Sequence, residues 1–346
     1  MIKGMESSRI VPTQESEAIR NLLSAEAQEH FDDVYYKRKL GATPHIYAIG
    51  RLYVDVAQNA EKNGLTTADV IGRVQAITDF FVKLRGDSST AIVSAMRVLT
   101  MGVEQMQSST VRELSDYITA VNQVYNDEAV GWADRIMEYG YNLIRDKKSM
   151  LLYDYSSLVC AMLKIAGDNG HYMDIYLPES RFLDGGKPFV APCLKNGHRV
   201  HFFPDVAILY YMQFADLAMM GAETFFPNGG MVNTIGSELV ALACRRYKKP
   251  LYIPTSLIKV DMLSIEGKSK RQLFRDLADK LAKGWSLTGQ EEIDFVCPNL
   301  DIVPPELITA YITEVGVVPC PALFGLCSSF EESLNRKIRE RMAAVC

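Results

Sequence analysis

The run Met150-Leu151-Leu152-Tyr153-Asp154-Tyr155-Ser156-Ser157 decides the reading of the fold. A short apolar run ends abruptly in polar residues, and a helical pattern resumes from Ser156 to about Ile165. Four apolar residues are too few for a buried helix but enough for a buried strand, and the two serines can open the helix that follows. The same alternation recurs downstream. Apolar runs at 172–177, 200–203, 217–220 and 251–253 are separated by helix-like stretches at 187–196, 206–214 and 235–247. Strand and helix alternating at this spacing predict parallel strands joined by crossover helices, an α/β, Rossmann-like, doubly wound, mainly parallel sheet. Sites in such sheets lie beyond the carboxyl ends of the strands.

Upstream of Lys148 the pattern is different. Ile49, Leu52, Tyr53, Val56 and Ala60 form a stripe of 3.6-residue period, closed by Asn63-Gly64. Thr66 or Thr67 caps a second helix running to Lys83, a third runs from near Ser88 to about Gln107, and a fourth spans 111–145 with an expected break near Asn126 and Asp127. No βαβ pattern is visible in this half. The expected division is therefore an N-terminal helical domain over 1–148 and a Rossmann-like ligand-binding domain over 149–346.

The 346 residues carry 37 basic and 42 acidic side chains, a net charge of −5, with 48% hydrophobic residues. No stretch reaches the roughly 18 to 20 apolar residues that a membrane span requires. The first twenty residues lack the apolar core of a secretory signal, so a cytoplasmic protein is expected. Mild acidity argues against direct nucleic-acid binding, which depends on clustered Lys and Arg. Seven scattered cysteines without a C-x-x-C pair are neither a disulfide framework nor a zinc site. His198 and His201 fall on opposite faces of a strand, so no metal and no cofactor is expected. Leu209-Tyr210-Tyr211-Met212 and Met219-Met220 read as core packing, and the basic stretch 268–283 as a solvated helix face.

The loops after the strands carry the candidate chemistry. Asp154 to Ser157 offers two hydroxyls, Ser156 and Ser157, at a helix start, where unpaired N–H groups favour an anion. Pro178-Glu179-Ser180-Arg181 follows the second strand, and Asp184-Gly185-Gly186-Lys187 turns into a helix. The segment 221–237 places Glu223 directly after a strand, then a glycine turn, then a helix opening with Asn233, Thr234, Gly236 and Ser237, whose N–H groups suit a phosphate. Neither a nucleoside-triphosphate loop, nor a dinucleotide fingerprint, nor a G-x-S-x-G elbow is present. A small anionic, phosphorylated ligand remains.

Taken in order, Glu179-Ser180-Arg181, Gly221-Ala222-Glu223, the loop Asn228-Gly229-Gly230-Met231-Val232-Asn233-Thr234-Ile235-Gly236-Ser237, Lys248-Lys249-Pro250-Leu251-Tyr252-Ile253-Pro254 and the segment opening Pro304-Pro305-Glu306-Leu307-Ile308-Thr309 resemble the initiation factor 2B alpha/beta/delta family. That family also contains methylthioribose-1-phosphate isomerase and ribose-1,5-bisphosphate isomerase. The resemblance implies a helical domain on a Rossmann-like domain and a homodimer formed through the C-terminal domain. It also implies a phosphorylated pentose-type ligand bound between the domains. Arg85, in Leu84-Arg85-Gly86-Asp87-Ser88-Ser89, and Lys259 match cationic ligand contacts of the family. Ser88, Ser89, Ser156, Ser157, Glu179, Asn233 and Thr234 complete the expected substrate-binding set.

Departures from the family pattern fall on the chemistry. Tyr155 stands where the isomerases have a cysteine, Glu223 where they have an aspartate, and Thr234 where a lysine is usual. Tyr47-Ala48-Ile49-Gly50-Arg51 corresponds to a segment that in the bisphosphate isomerase supplies another arginine, so a singly phosphorylated ligand is favoured. Aldose–ketose isomerisation needs an acid and a base within reach of adjacent carbons. Glu223 is the expected base and Tyr155 the expected acid. The alternative is a noncatalytic, initiation-factor-2B-like regulatory subunit that senses a sugar phosphate or nucleotide; a purely structural role in an assembly is a third reading.

Overall fold

The computed structural model describes residues 11–39, 41–86, 89–267, 272–289 and 292–345. They form two compact units, one over 136–255 and 263–323, the other over 11–135, 256–262 and 324–345. The division therefore does not fall at residue 148. It cuts through one long helix, and the helical unit takes back the turn at 256–262 and the last helix.

The helical unit contains α1 (Gln14–Arg20), α2 (Ala25–Tyr35), α3 (Ala42–Gln58), α4 (Thr67–Arg85), α5 (Thr90–Leu99) and the first part of α6 (Val111–Ile144). Each apolar stripe of 3.6-residue period has found a neighbour: Ile49, Leu52, Phe81, Ile92, Leu114 and Val121 are all fully buried in one core. Thr66 caps α4 by a reciprocal pair with Asp69. The expected break in α6 is absent. Asn126 Nδ2 donates to Asn122 Oδ1, and Gln123 Nε2 to Asp127 Oδ1, so these polar residues bond along the helix surface, one turn apart, rather than competing with its backbone. The third helix ends earlier than its sequence suggests, at Leu99. Gly102 takes φ +81, and a 3-10 turn, Glu104–Ser108, follows.

In the α/β unit the strands are β1 (Ser149–Leu152), β2 (Asp174–Pro178), β3 (Arg199–Phe203), β4 (Leu217–Met219), β5 (Thr224–Phe225), β6 (Met231–Thr234), β7 (Leu251–Pro254), β8 (Phe274–Asp276), β9 (Val296–Pro298), β10 (Leu300–Val303), β11 (Ala310–Thr313) and β12 (Gly316–Val318). The helices between them are α7 (Ser157–Asp168), α8 (Lys187–Lys195), α9 (Ile208–Met212), α10 (Ser237–Tyr247) and the short α11 (Ala278–Leu281). The last helix, α12 (Leu323–Val345), belongs to the helical unit from residue 324. The main sheet has seven strands in the order β12-β11-β7-β4-β1-β2-β3, with every pair parallel except β11–β12. Winding proceeds outward from β1 through β2 to β3, then restarts on the other side with β4. β1 and β4 therefore mark the switch point of the sheet, beyond whose carboxyl ends such folds hold their ligands.

Three readings change in this unit. Residues 231–234 form β6, not the opening of a helix, because they pair with β5 and with the distant β10 in a three-stranded antiparallel sheet. In the basic stretch, residues 268–271 lie outside the described residues, and the rest makes β8 and α11 instead of one helix. Of 209–212, only Met212 is buried. Tyr210 is 59% exposed, so this is not core packing, whereas Met219 and Met220 are buried as expected.

Candidate functional site

The switch point is built first by β1 and β4. Leu152 and Met219 lie side by side at their ends, so the loops leaving them start as neighbours. The loop after β1 turns at once through Asp154, whose φ of +54 is costly for a residue with a side chain but tolerated by Asp and Asn. After β4, the Glu223 N–H donates to the Val232 carbonyl at 3.0 Å, which fixes that residue to the ledge formed by β6. At the end of β6, Thr234 Oγ1 donates to Asp154 Oδ2 at 2.6 Å. The loop after β2 closes the other side: a Cβ on Gly185 would lie 1.8 Å from Asp154 Oδ1, so only glycine fits there. Asp154 keeps partial access to solvent. Burial pushes its carboxyl pKa up, and the Glu223 carboxylate pushes it further; the hydrogen bonds from Thr234 and the Tyr155 N–H act against both.

The helix start expected to hold phosphate is already occupied. Asp301 Oδ2, on β10, accepts from the N–H groups of Gly236 at 2.7 Å and Glu238 at 3.1 Å. A resident carboxylate thus satisfies the first turn of α10. Gly236 itself has φ +99 and packs on Tyr153, whose hydroxyl donates to the Ile235 carbonyl at 2.6 Å. Asn233 is buried and donates to Ser237 Oγ at 3.0 Å. Both Asn233 and Thr234 therefore have their side chains engaged within the protein.

Ser156 is the N-cap of α7 and lies against Gly221, while Ser157 is exposed. The Tyr155 ring packs 5.3 Å from Phe189 and borders a groove of ≈ 500 Å³ between α7 and α8, with Ser157, Cys160, Lys164 and Lys195. Burial raises both the Tyr155 hydroxyl and the Cys160 thiol. Glu179 pairs with Arg181 at 3.1 Å, and Asp205 accepts from the Ser180 and Arg181 N–H groups at 2.9 Å. Lys280 holds the same loop through the carbonyls of Arg181 and Phe182 and the Asp184 carboxylate. His198 and His201 are taken up locally. His198 Nδ1 accepts from the Met173 N–H and Nε2 donates to the Leu163 carbonyl, whereas His201 meets Asp174 at 2.9 Å.

In the helical unit, Arg85 ends α4, Ser89 caps α5, and both are buried beside His45 of α3. Arg85 Nη2 donates to His45 Nδ1 at 3.4 Å. Burial and the Arg85 charge push the His45 pKa down to about 4, so the ring is neutral at pH 7. Lys259 closes the 3-10 turn Leu257–Lys259, whose Ile258 joins the helical core. Arg85, Ser89 and Lys259 thus share one unit, while the remaining described candidates share the other. Ser88 lies outside the described residues.

Sequence reasoning quoted Asp154 only as a loop residue and passed over Asp301 and His45. The signal for Asp154 was its place, the first residue after the apolar run Met150 to Tyr153. Asp301 gave no local signal, because it reaches α10 through strand pairing.

The order of the parallel strands defines the α/β unit as a Rossmann-like, doubly wound fold. Sequence comparison makes this specific: residues 46–320 match the model of the initiation factor 2 subunit family, and the chain belongs to that family. Ribose 1,5-bisphosphate isomerase of Pyrococcus furiosus is 29% identical over 196 residues, 57% of this chain and 60% of that protein, so the match spans less than two thirds of the relative. The alpha subunit of translation initiation factor eIF2B from Dictyostelium discoideum is 23% identical over 280 residues, 78% of this chain and 85% of that one. Among solved structures, 5-methylthioribose 1-phosphate isomerase from Pyrococcus horikoshii OT3 superposes with a TM-score of 0.71 at 20% identity, covering 92% of this chain and 87% of that one. At that identity the likeness speaks to the fold alone.

Proposed function

We propose that the protein is an aldose–ketose isomerase acting on a singly phosphorylated pentose-type sugar, with Glu223 as the base. One observation carries this reading: Glu223 stands at the switch point of the sheet, fixed through its backbone to β6 and next to a second carboxyl, where a ligand in such a fold is held. Ribose 1,5-bisphosphate isomerase and methylthioribose-1-phosphate isomerase among the relatives support the reaction class. The engagement of Thr234 with Asp154, and of the α10 terminus with Asp301, leaves fewer anion contacts here than two phosphates require. A cytoplasmic homodimer formed through the α/β unit completes the proposal. Incubation with ribose 1-phosphate and 5-methylthioribose 1-phosphate, followed by NMR, is expected to show the ketose 1-phosphate. Glu223→Gln is expected to lower kcat on the order of 100-fold or more; turnover that survives this change removes Glu223 as the base.

The occupied α10 terminus favours a second reading, a noncatalytic subunit that senses its ligand. Ligand-dependent thermal stabilisation of the wild-type protein without turnover would decide for it.

A further inference from the structure

An isomerase with Glu223 as base also needs a proton donor, and Tyr155, at the α7–α8 groove, packs on Phe189. We propose, on the isomerase reading, that Asp154 is the catalytic acid and that Asp154 and Glu223 form a carboxyl pair holding one proton between them. Three separate features of the fold single out Asp154. Its backbone is held in the left-handed region just beyond the carboxyl end of β1, a strain that other contacts must sustain. Its Oδ1 is approached so closely by the β2 loop that Gly185 admits no side chain, and its Oδ2 is fixed by Thr234. Despite this packing it retains partial solvent access, as a group that meets a substrate must.

Electrostatics agree with the geometry. Burial and the neighbouring Glu223 both favour the protonated carboxyl of Asp154, and two close carboxyls cannot both ionise freely. The Asp154 charge also acts on Tyr153, which Asp205 and Asp301 face as well. On Asp154 itself, the Thr234 hydroxyl and the Tyr155 N–H act in the opposite direction to burial and Glu223, as neutral donors that bring no charge to the pair.

The step balances on an aldose 1-phosphate in its ring form. Asp154 gives its proton to the ring oxygen as the bond from that oxygen to C1 breaks. The hydrogen on C2 moves with its electron pair to C1, and Glu223 takes the proton of the C2 hydroxyl as the carbonyl forms. C2 is oxidised and C1 reduced by the same electron pair, so no external oxidant enters. The enzyme is left with its one proton on Glu223, and return of that proton to Asp154 restores the pair.

Asp154→Asn tests the role cleanly, because Asn accepts a left-handed backbone and its amide still bonds to Thr234. Kinetics on ribose 1-phosphate and 5-methylthioribose 1-phosphate would be combined with carbon-13 NMR titration of the side-chain carboxyls in the ligand-free protein. The expected result is a kcat loss on the order of 100-fold or more at nearly unchanged KM. It should come with a carboxyl titrating above the ordinary carboxylate range that is absent in Asp154→Asn and moves down in Glu223→Gln. Wild-type kcat in Asp154→Asn, with the loss falling on Tyr155→Phe instead, overturns the acid role. Ordinary-range ionisation of both carboxyls overturns the shared proton. A wild-type protein that turns over neither sugar fails the isomerase reading and the acid role with it, while the titration still decides for or against the shared proton.

Discussion

At the residue scale, the placement of charge explains more than its amount. A net charge of −5 says little, whereas Asp154, held by Thr234, and Asp301, bound to the first turn of α10, put carboxylates beside groups expected to meet a phosphate. His45 shows the reverse case, a base kept neutral by burial beside Arg85. Its folded pKa of about 4 lies below the ordinary 6.5, so between these values the unfolded chain binds a proton that the folded one refuses. Stability is expected to fall as pH drops from 6.5 toward 4. Urea unfolding at several pH values checks this, and His45→Gln should flatten the dependence. Glu223 was legible as a site residue from its position after an apolar run. Asp154 was not singled out, because its meaning depends on the strands and loops brought against it.

At the element scale, α10 shows how a local rule can be right while its consequence differs. A helix was expected after the glycine loop, and one is present from Ser237. Its first N–H groups do attract an anion, but the anion is Asp301. Asp301→Ala should therefore cost about 1 kcal/mol of stability, with Asp301→Asn costing less because its amide oxygen can still accept. Chemical denaturation of the three proteins measures this; equal stability would show that the cap contributes little. Asn233 and Thr234 read as the opening of that helix because Asn and Thr suit a helix start, yet they close the strand β6. The strand satisfies its backbone by pairing with β5 and β10, the latter more than sixty residues away in sequence.

At the scale of the whole molecule, Val206 is 90% exposed, Tyr210 59%, Phe202 51% and Phe214 49%, an apolar set on and beside the edge strand β3. Apolar groups gathered near an unpaired edge suit burial against another chain. If the proposed homodimer uses this surface, Tyr210→Ser with Phe214→Ser should shift the mass measured by light scattering from dimer toward monomer; an unchanged dimer would place the interface elsewhere. Among the described residues no helix is long and apolar enough to cross a membrane. The sequence by itself determined the strands β1, β2, β3, β4 and β7 with the helices between them, the helical character of the first half, and the loops after those strands, because hydrophobic period and caps act within a few residues. Only the tertiary structure decided that β1 and β4 lie together at the switch point, that Asp301 closes the α10 terminus and that residues 256–262 belong with the helices. These depend on pairings between distant segments, where the burial of apolar surface and the completion of backbone hydrogen bonds are properties of the folded chain rather than of any stretch of it.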